Sequence, residues 1–521
     1  MRSDSDGVAG TNNAVTAFSK DNQQPSANEA RMAFLAAVGF FFIIMAYYVL
    51  KPIRESLAIE LGAHKVPALN VLSMFSLIIA NGFYSWFVGR YRRDVFIPWL
   101  IRGSIVCLVF FWLVFRDLAG PAINGGPLAF SRIAAITGYF VWVNIFGLFL
   151  PSMFWSFMND VFSTEQGSRF YSRIGYGGLI GGLAGGGITA ILVKTLGTAQ
   201  MFIVTVFLLE PVLWCMREID RLSICGKEIT STGAGAADKV VFEVSTGCSP
   251  EAAKFRVQKN NARKSRWYKL RSSSKVRAAT ARTGLRENKL LKDKQSRDGS
   301  VAQNNALTPV RKGVLEGVWR TIASPYLGLM ALETFLYTFG SSLFSYQVNV
   351  LMEHEITSRE QRTIYWAHLY NGINGLSLFM QFFVTSYVMR TGSPWVGLAL
   401  MPGTQIIASL ILLGSPSLNL AAIFSIIRYA LNYSTGRAVR ELFFTPLARE
   451  EKYQGKGFID TFIFRAGDGM ASSLLLAGIA LMGSGYWIDF SVIGVNAIGV
   501  VTIFLIGLNF ARITRERGQL H

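Results

Sequence analysis

Long apolar runs separated by short polar connections make up most of this chain. Each run is about as long as the roughly 20 residues that a helix needs to cross a bilayer, whereas membrane-crossing strands are about ten residues long and alternate in polarity. Six runs come before a polar stretch at about 217–320, and six follow it. The runs lie at about 32–50, 68–88, 95–115, 133–157, 171–193, 199–216, 325–350, 363–389, 395–414, 418–446, 458–482 and 488–511.

Runs of this length predict helices, because every backbone polar group in lipid must be satisfied within its own segment. We therefore predict an all-α integral membrane protein with twelve transmembrane helices in two six-helix halves. The expected organisation has five parts: a disordered cytoplasmic tail at 1–30, the first half at 31–216, a mostly disordered basic cytoplasmic loop at 217–320, the second half at 321–512 and a cytoplasmic tail at 513–521.

Composition supports a membrane protein and argues against a soluble enzyme. The 521 residues are 51% hydrophobic and only 16% charged, whereas soluble domains carry about 25% charged residues. The four cysteines and four histidines have no metal-site or redox spacing, and no nucleophile–base pair is apparent. We therefore predict neither an enzyme nor a cofactor or metal.

The formal net charge of +19 is concentrated in the central loop. Residues 217–320 contain 23 Lys and Arg and ten Asp and Glu, and therefore carry a net charge of +13. We interpret the loop as a solvated cytoplasmic segment, with attraction to anionic membrane lipid as a further role. RNA binding is the alternative, but only Trp267 and Tyr268 offer aromatic stacking, so no nucleic-acid partner is expected.

The basic residues near the ends of the spans predict the orientation in the membrane. With the N-terminus inside and the central loop set aside, we count fifteen Lys and Arg on the inner side and seven on the outer side. Because the number of spans is even, both termini are expected in the cytoplasm. Residues 1–30 lack the apolar core of a signal peptide. We expect a monomeric, multi-pass protein of a bacterial inner membrane.

Charged residues inside apolar spans usually mark function, because their insertion into lipid is unfavourable. The first span ends with Tyr48, Lys51, Arg54 and Glu55 on one helical face, next to Pro52. We expect Pro52 to interrupt the helix, as in the broken helices that form transporter binding sites. The alternative is that Lys51 and Arg54 extend to the outer interface without binding a substrate.

The tenth and eleventh spans carry a second set of charges. Arg428, Asn432 and Arg440 share one face of the tenth span, and Asp460, Arg465 and Asp468 share one face of the eleventh. A buried guanidinium requires an anion, which is either a carboxylate of the protein or a ligand. The two interpretations are ion pairs between these spans and a charged pathway for an anionic substrate or a proton.

The fifth span contains two stripes of glycine at a spacing of four residues. The run lacks the Lys-Ser/Thr ending of a phosphate-binding loop, and no strand precedes it. Small residues at this spacing allow close approach of helices, so we predict a contact on which the two halves can rock. The stripes are Gly177, Gly181 and Gly185, and Gly178, Gly182 and Gly186.

Twelve spans divided by a charged loop resemble the major facilitator architecture, and the basic segment 89–94 is similar to that superfamily's loop between helices 2 and 3. Three segments resemble the nonmitochondrial ATP/ADP translocases of plastids and intracellular bacteria. The fourth span ends in Phe154-Trp155-Ser156-Phe157-Met158-Asn159 before Arg169-Phe170-Tyr171. The second segment is Gly455-Lys456-Gly457-Phe458-Ile459-Asp460 with Arg465, and the third is Leu50-Lys51-Pro52-Ile53-Arg54-Glu55.

The resemblance covers the membrane domain and implies exchange of nucleotides. Arg54 falls where the family has a lysine implicated in substrate binding. The chain departs from the family at three places. In the fourth span the family has an acidic residue where this chain has Asn144, and in the seventh span it has a glutamate near the position of Gln347. In the eleventh span the family has a lysine where this chain has Asp468.

These observations predict a secondary transporter with alternating access. Its expected substrate is a small anionic solute, an organic phosphate such as ATP or ADP, because arginine forks match phosphate geometry. The alternatives are a proton-coupled carrier of another solute and, in different classes, a membrane scaffold or a membrane-embedded enzyme. The predicted substrate-binding residues are Tyr48, Lys51, Arg54, Arg428, Asn432, Arg440 and Arg465. The proton or ion-pair candidates are Glu55, Asp460 and Asp468, and the cytoplasmic gate candidates are Arg169 and Lys456.

Overall fold

The structure is a computed structural model that describes residues 27–91, 93–117, 130–233, 319, 321–390, 394–447 and 455–516. Within these ranges the chain has no strand and forms twelve long helical elements. The first six are α1 (Ala27–Glu60), α2 (Val66–Arg90), α3 (Arg93–Asp117), α4 (Phe130–Val161), α5 (Thr164–Leu196) and α6 (Gln200–Gly233).

The second six helices repeat this arrangement. They are α7 (Pro325–Glu355), α8 (Arg359–Arg390), α9 (Pro394–Gly414), α10 (Leu418–Leu431, a π turn at Asn432–Gly436, and Arg437–Phe443), α11 (a π turn at Ile459–Ile463, and Phe464–Met482) and α12 (Trp487–Glu516). The prediction of an all-α protein with two six-helix halves is confirmed. We call α1–α6 the N half and α7–α12 the C half.

Several helix ends have clear local causes. The hydroxyl of Ser163 accepts from the backbone N–H of Gln166, whose side chain bonds back to Ser163, so a capping box begins α5. Ser324 caps α7, and Pro325 occupies its first turn. Gly197 follows α5 and Gly483 follows α11, both with positive φ angles.

The prediction that Pro52 interrupts the first helix is wrong. Helix α1 continues through Pro52 for two more turns and ends at Glu60. Proline removes one backbone donor, but the side chains of a packed bundle compensate for this loss in membrane helices. Lys51, Arg54 and Glu55 therefore lie within one regular helix, and their common face is preserved.

Eight of the twelve helices described are long and apolar enough to cross a membrane, namely α1–α5, α7, α9 and α12. Together with the fold, they indicate an integral multi-pass membrane protein. The other four predicted spans are also helical. However, α10 and α11 are each divided by a π turn. Membrane crossing by α6, α8, α10 and α11 stays a prediction.

The five-part domain organisation stays a prediction, and the structure describes only the helix ends near its boundaries. Helix α1 already begins at Ala27, α6 continues to Gly233, and α12 continues to Glu516. The chain divides into a unit of Met1–Ile229 with Val314–His521 and a second unit of Thr230–Gly313. The predicted disorder of residues 1–26 and of most of the central loop lies outside the described residues.

The glycine stripes of α5 serve two different contacts. A Cβ atom at Gly177 or Gly181 would lie 2.3 Å from a backbone carbonyl oxygen of α1, so this stripe packs within the N half. At Gly182 and Gly186 the nearest atoms belong to Asn374 and Asn371 of α8. The predicted close packing is confirmed, but only Gly182 and Gly186 of the second stripe contact the other half, because Gly178 faces Phe40 of α1. Helix α1 also packs against α8, and α2 against α11, across the two halves.

Candidate functional site

A cavity of about 230 Å³ lies between the two halves. Its walls come from α1, α2 and α4 of the N half and from α7, α10 and α11 of the C half. Four charged side chains line it: Arg54, Glu55, Arg465 and Asp468. A membrane protein exposes such groups to an internal cavity rather than to lipid, and this placement makes the cavity the candidate substrate site.

Arg54 forms the centre of the N-half wall and is 8% exposed. Its guanidinium donates to the side-chain oxygen of Asn144 at 2.6 Å and to the carboxylate of Glu55, the next residue. The amide of Asn144 donates in turn to Ser73 at 3.2 Å. The Glu55 carboxylate also accepts a hydrogen bond from Tyr370 of the C half at 3.2 Å. Arg54 is therefore neutralised and held in position by its neighbours.

Lys51 lies one turn before Glu55 in a cage of tyrosine rings. Its Nζ is 4.0 Å from the ring centre of Tyr370, 5.5 Å from that of Tyr48 and 5.8 Å from that of Tyr47. The rings attract a cation through their electron-rich faces. Lys51 has no hydrogen bond or ion pair with any residue that the structure describes. The predicted extension of this lysine to the outer interface does not occur here.

Arg428 is the corresponding cation of the C half and is 1% exposed. Its guanidinium donates to the hydroxyls of Ser341 and Ser345 of α7, in the second case at 3.4 Å, and packs 3.9 Å from the ring centre of Tyr429. No carboxylate among the described residues pairs with it, so the predicted ion pair between α10 and α11 is absent at this arginine. Ser345 and Tyr429 line the cavity, and Arg428 therefore lies directly behind its wall.

The other charged residues of the C-half wall come from α11. Asp468 accepts a hydrogen bond from Ser342 of α7 at 2.7 Å. Arg465, three residues earlier on the same helix, lines the cavity without a hydrogen bond or ion pair within the described part of the chain. The sequence placed both residues on one face of the helix, and the structure directs that face into the cavity.

Arg440 and Asn432 are not among the residues that line the cavity. The guanidinium of Arg440 pairs with Glu333 of α7 at 3.3 Å and donates to Asn432 at 2.9 Å. Glu333 is 2% exposed, so the pair is buried. The helix pair joined by this bridge is α7–α10, whereas the sequence interpretation expected α10–α11. The geometry gives Arg440 and Asn432 a structural role in this conformation.

The sequence analysis missed an ion-pair network at the end of the bundle where α1 ends and α8 begins, which we call the far end. The Glu60 carboxylate accepts from Arg359 of α8 at 2.7 and 3.1 Å and from Arg132 of α4 at 2.6 Å. The backbone N–H of Ala63 donates to Glu353 of α7 at 2.9 Å. The contacts of Glu60 with Arg359 and of Ala63 with Glu353 join the two halves, so the far end is closed. In the sequence, the sign of this network was the presence of charged residues next to the ends of the predicted spans.

The predicted gate residues lie at the opposite end, where α1 begins and α12 ends. Lys456 bonds to Glu441 at 2.5 Å, and both residues belong to the C half. Arg169 is exposed at the start of α5 in the N half, and Asp460 is exposed at the start of α11. Lys456 therefore makes a contact within one half here, and salt bridges between the inner loops of the two halves that carry Arg169 and Lys456 stay a prediction.

The charges around the cavity do not balance. The cations Lys51, Arg54, Arg428 and Arg465 outnumber the carboxylates Glu55 and Asp468, which leaves an excess of two positive charges. Buried or partly buried cations without counterions are unfavourable unless a ligand supplies the negative charge. The arrangement is therefore suited to an anion. Within the described residues, no cluster of three or more His, Cys, Asp or Glu could hold a metal ion.

Two solved structures of transporters share this arrangement of helices. A bacterial homologue of the iron transporter ferroportin, in an inward-facing state, matches with a TM-score of 0.57 and 8% identity, covering 92% of this chain and 99% of that one. A peptide transporter of the POT family in complex with sulfate matches with a TM-score of 0.51 and 11% identity, covering 93% and 95%. The chain has the major facilitator fold.

Likeness at these identities establishes the major facilitator fold and no more. No protein-family model matches the sequence, and the search of curated proteins finds no match. Neither sequence comparison points to the nonmitochondrial ATP/ADP translocases, so that resemblance stays a prediction. In the major facilitator fold observed here, the cavity between the halves is the place where substrate chemistry has to be sought.

Proposed function

We propose that this protein is a secondary transporter that carries an anionic organic phosphate by alternating access. The observation that carries the proposal is Arg428, a fully buried guanidinium behind the cavity wall with no carboxylate partner in the described chain. Serine hydroxyls and an aromatic face hold it, and these groups orient a cation without neutralising it. A phosphate in the cavity would complete its environment.

The closed far end supports a mechanism in which the halves move against each other. The bonds of Glu60, Ser56 and Ala63 to the C half break when that end opens, while the glycine contact of α5 with α8 allows the halves to rotate. With both termini in the cytoplasm, as the basic residues predict, the far end faces outside. The conformation is then closed to the outside, as in the inward-facing ferroportin homologue.

The most specific form of the proposal is nucleotide exchange, which the sequence resemblance implies. Counterflow of labelled ATP into proteoliposomes loaded with ADP tests it, and a panel of organic phosphates in the same vesicles tests the wider substrate class. Exchange requires no proton gradient, so an uncoupler should leave it unchanged. If no anion in the panel moves, the protein is a scaffold rather than a carrier and the proposal fails.

Arg54→Gln and Arg428→Gln should each abolish substrate binding and leave expression intact. A matched control is Arg512→Gln, because Arg512 pairs with Glu516 on exposed surface at the end of α12. Binding of the labelled substrate to the purified protein and its circular dichroism spectrum should be measured for all three variants. Wild-type affinity in both cavity variants would refute the site.

Asp468 favours a second candidate, a proton-coupled carrier of another small solute. Its carboxylate lines the cavity and accepts a hydrogen bond from the hydroxyl of Ser342, and no cation of the described chain lies within ion-pair distance of it. A carboxylate in this position is able to take up a proton when the cavity opens. In this case uptake collapses with an uncoupler, and Asp468→Asn retains counterflow but loses uphill transport.

A further inference from the structure

The neutral polar side chains of the cavity wall indicate which kind of substrate it accepts, in addition to the charged ones. Apart from the charged groups, six neutral polar side chains line it: Asn70, Ser73, Asn144, Ser342, Ser345 and Asn349. They come from α2 and α4 of the N half and from α7 of the C half. Amides and hydroxyls of this kind both donate and accept hydrogen bonds, which is the pattern that a polyhydroxylated molecule requires.

One of these side chains has an unmet hydrogen-bonding requirement. Asn349 is 6% exposed, and its side-chain oxygen has no donor among the described residues. Buried polar atoms in native proteins nearly always have a partner, so an orphan oxygen in a cavity wall points to a group that arrives with a ligand. The missing partner is a donor, such as a hydroxyl of the substrate, and phosphate oxygens of a dianion cannot supply it.

The size of the cavity limits the substrate. Pockets for drug-sized molecules occupy roughly 300–1,000 Å³, and a nucleoside triphosphate is a molecule of that size. The cavity of about 230 Å³ is smaller. Tyr346 and Tyr429 are the aromatic residues in its lining, one ring from α7 and one from α10. The volume fits a small hydrophilic solute better than it fits a base, a ribose and three phosphates.

The charge excess defines the substrate further. Glu55 pairs with Arg54, whereas Asp468 bonds to Ser342 and not to a cation. Lys51, Arg428 and Arg465 therefore lack a carboxylate partner in the described chain. Three such cations and the one carboxylate of Asp468 leave a net excess of two positive charges, which matches a ligand with two negative charges. A phosphate monoester carries about that charge at neutral pH, with a second pKa of about 6.

We infer that the substrate is a small polyhydroxylated phosphate monoester, a sugar or polyol phosphate, rather than a nucleotide. This inference rests on the proposed function and narrows it. The phosphate is attracted by Arg465, which lines the cavity, and by Lys51 and Arg428, which lie outside its lining. The hydroxyl groups bond to the amide and serine side chains of the wall. The oxygen of Asn349 accepts one of these hydroxyl protons.

Four labelled or competing probes test the inference on the full-length protein in detergent. Glucose 6-phosphate should bind about tenfold more tightly than inorganic phosphate, which has no polyol, and about tenfold more tightly than ATP, which is too large. Glucose 6-sulfate has nearly the same shape but one charge fewer, and it should also bind about tenfold more weakly. Tighter binding of ATP than of glucose 6-phosphate would overturn the inference and leave the transporter proposal intact.

Asn349→Ala tests the polyol contact separately from the charge contact. Its affinity for glucose 6-phosphate should fall about tenfold, while its affinity for inorganic phosphate should not change. Asn509→Ala is the control, because Asn509 is partly exposed near the end of α12 and bonds only to its own helix in the described chain. Equal loss for both probes in Asn349→Ala would refute the assignment. If none of the four probes binds, the proposed function fails as well.

Discussion

The far-end network offers the sharpest test of alternating access. Glu60 is 13% exposed in its side chain, and Arg359 and Arg132 are 19% and 11% exposed, so all three groups are largely shielded from water. Arg359 belongs to the C half, whereas Arg132 belongs to the same half as Glu60. Of the two ion pairs of Glu60, the pair with Arg359 must break when the far end opens, and the pair with Arg132 need not. Glu60→Gln removes the charge of the pair with Arg359 and keeps the shape of the side chain.

The magnitude follows from the two hydrogen bonds between Arg359 and Glu60 at 2.7 and 3.1 Å. A charge-assisted bond contributes about 1.5–3 kcal/mol, and glutamine retains one acceptor for the same guanidinium. We therefore expect the closed far end to lose about 2–3 kcal/mol relative to the open one, which shifts the equilibrium about 30- to 150-fold toward opening. The bond to Arg132 weakens in both conformations and does not change this difference.

Spin labels across the far end measure the shift. Lys65→Cys and Thr357→Cys, both exposed positions, place one label on each half in a background without the four native cysteines. Electron–electron distance measurements should give one short distance in this background and an added longer distance in Glu60→Gln. Glu360→Gln is the matched control, because that carboxylate bonds to Ser358 of its own half. An unchanged distance distribution in Glu60→Gln would refute the reasoning.

Three further predictions address packing and the opposite end. Gly181→Leu should lower the thermal unfolding midpoint, because its Cβ would lie 2.3 Å from a backbone oxygen, whereas Gly175→Leu, with no atom within 4 Å, should not. Glu333→Gln should lose about 3–5 kcal/mol of unfolding free energy by leaving Arg440 buried and unpaired, and the double glutamine variant should recover part of this loss. Lys456→Gln removes a partly exposed ion pair with Glu441 within one half and should change the free energy of unfolding by no more than about 1 kcal/mol. A changed counterflow rate in this variant would therefore support a role of Lys456 in the gate.

The candidate site was partly visible in the sequence. Arg54, Arg428 and Asp468 were recognisable as charges within apolar runs, because lipid strongly disfavours such residues and leaves few reasons for their presence. Helical periodicity then placed Lys51 on the same face as Arg54. Helical periodicity could not show which of these charged side chains have an ion-pair partner on another helix. Arg440 had the same pattern as Arg428, yet Glu333, which is 107 positions away along the chain, pairs with Arg440 alone.

The pattern of apolar and polar residues could not predict contacts between segments that are distant in the sequence. The ring nearest to Lys51 belongs to Tyr370 of the other half, and the partner of Glu60 is Arg359. Asn144 was noted as a departure from a family pattern, and only the structure identified it as the partner of Arg54. Such pairs have no fixed spacing in the sequence, because they depend on how α1, α4 and α8 pack.

The amino-acid sequence by itself determined the helices and their division into two halves. In lipid, hydrogen bonding within each segment and apolar length are both local properties, so they can be read from consecutive residues. The tertiary structure alone decided which cations remain without a partner, which end of the bundle is closed and how large the cavity is. These properties depend on distances between side chains of different helices, and a small rotation of a helix about its axis is enough to exchange one partner for another.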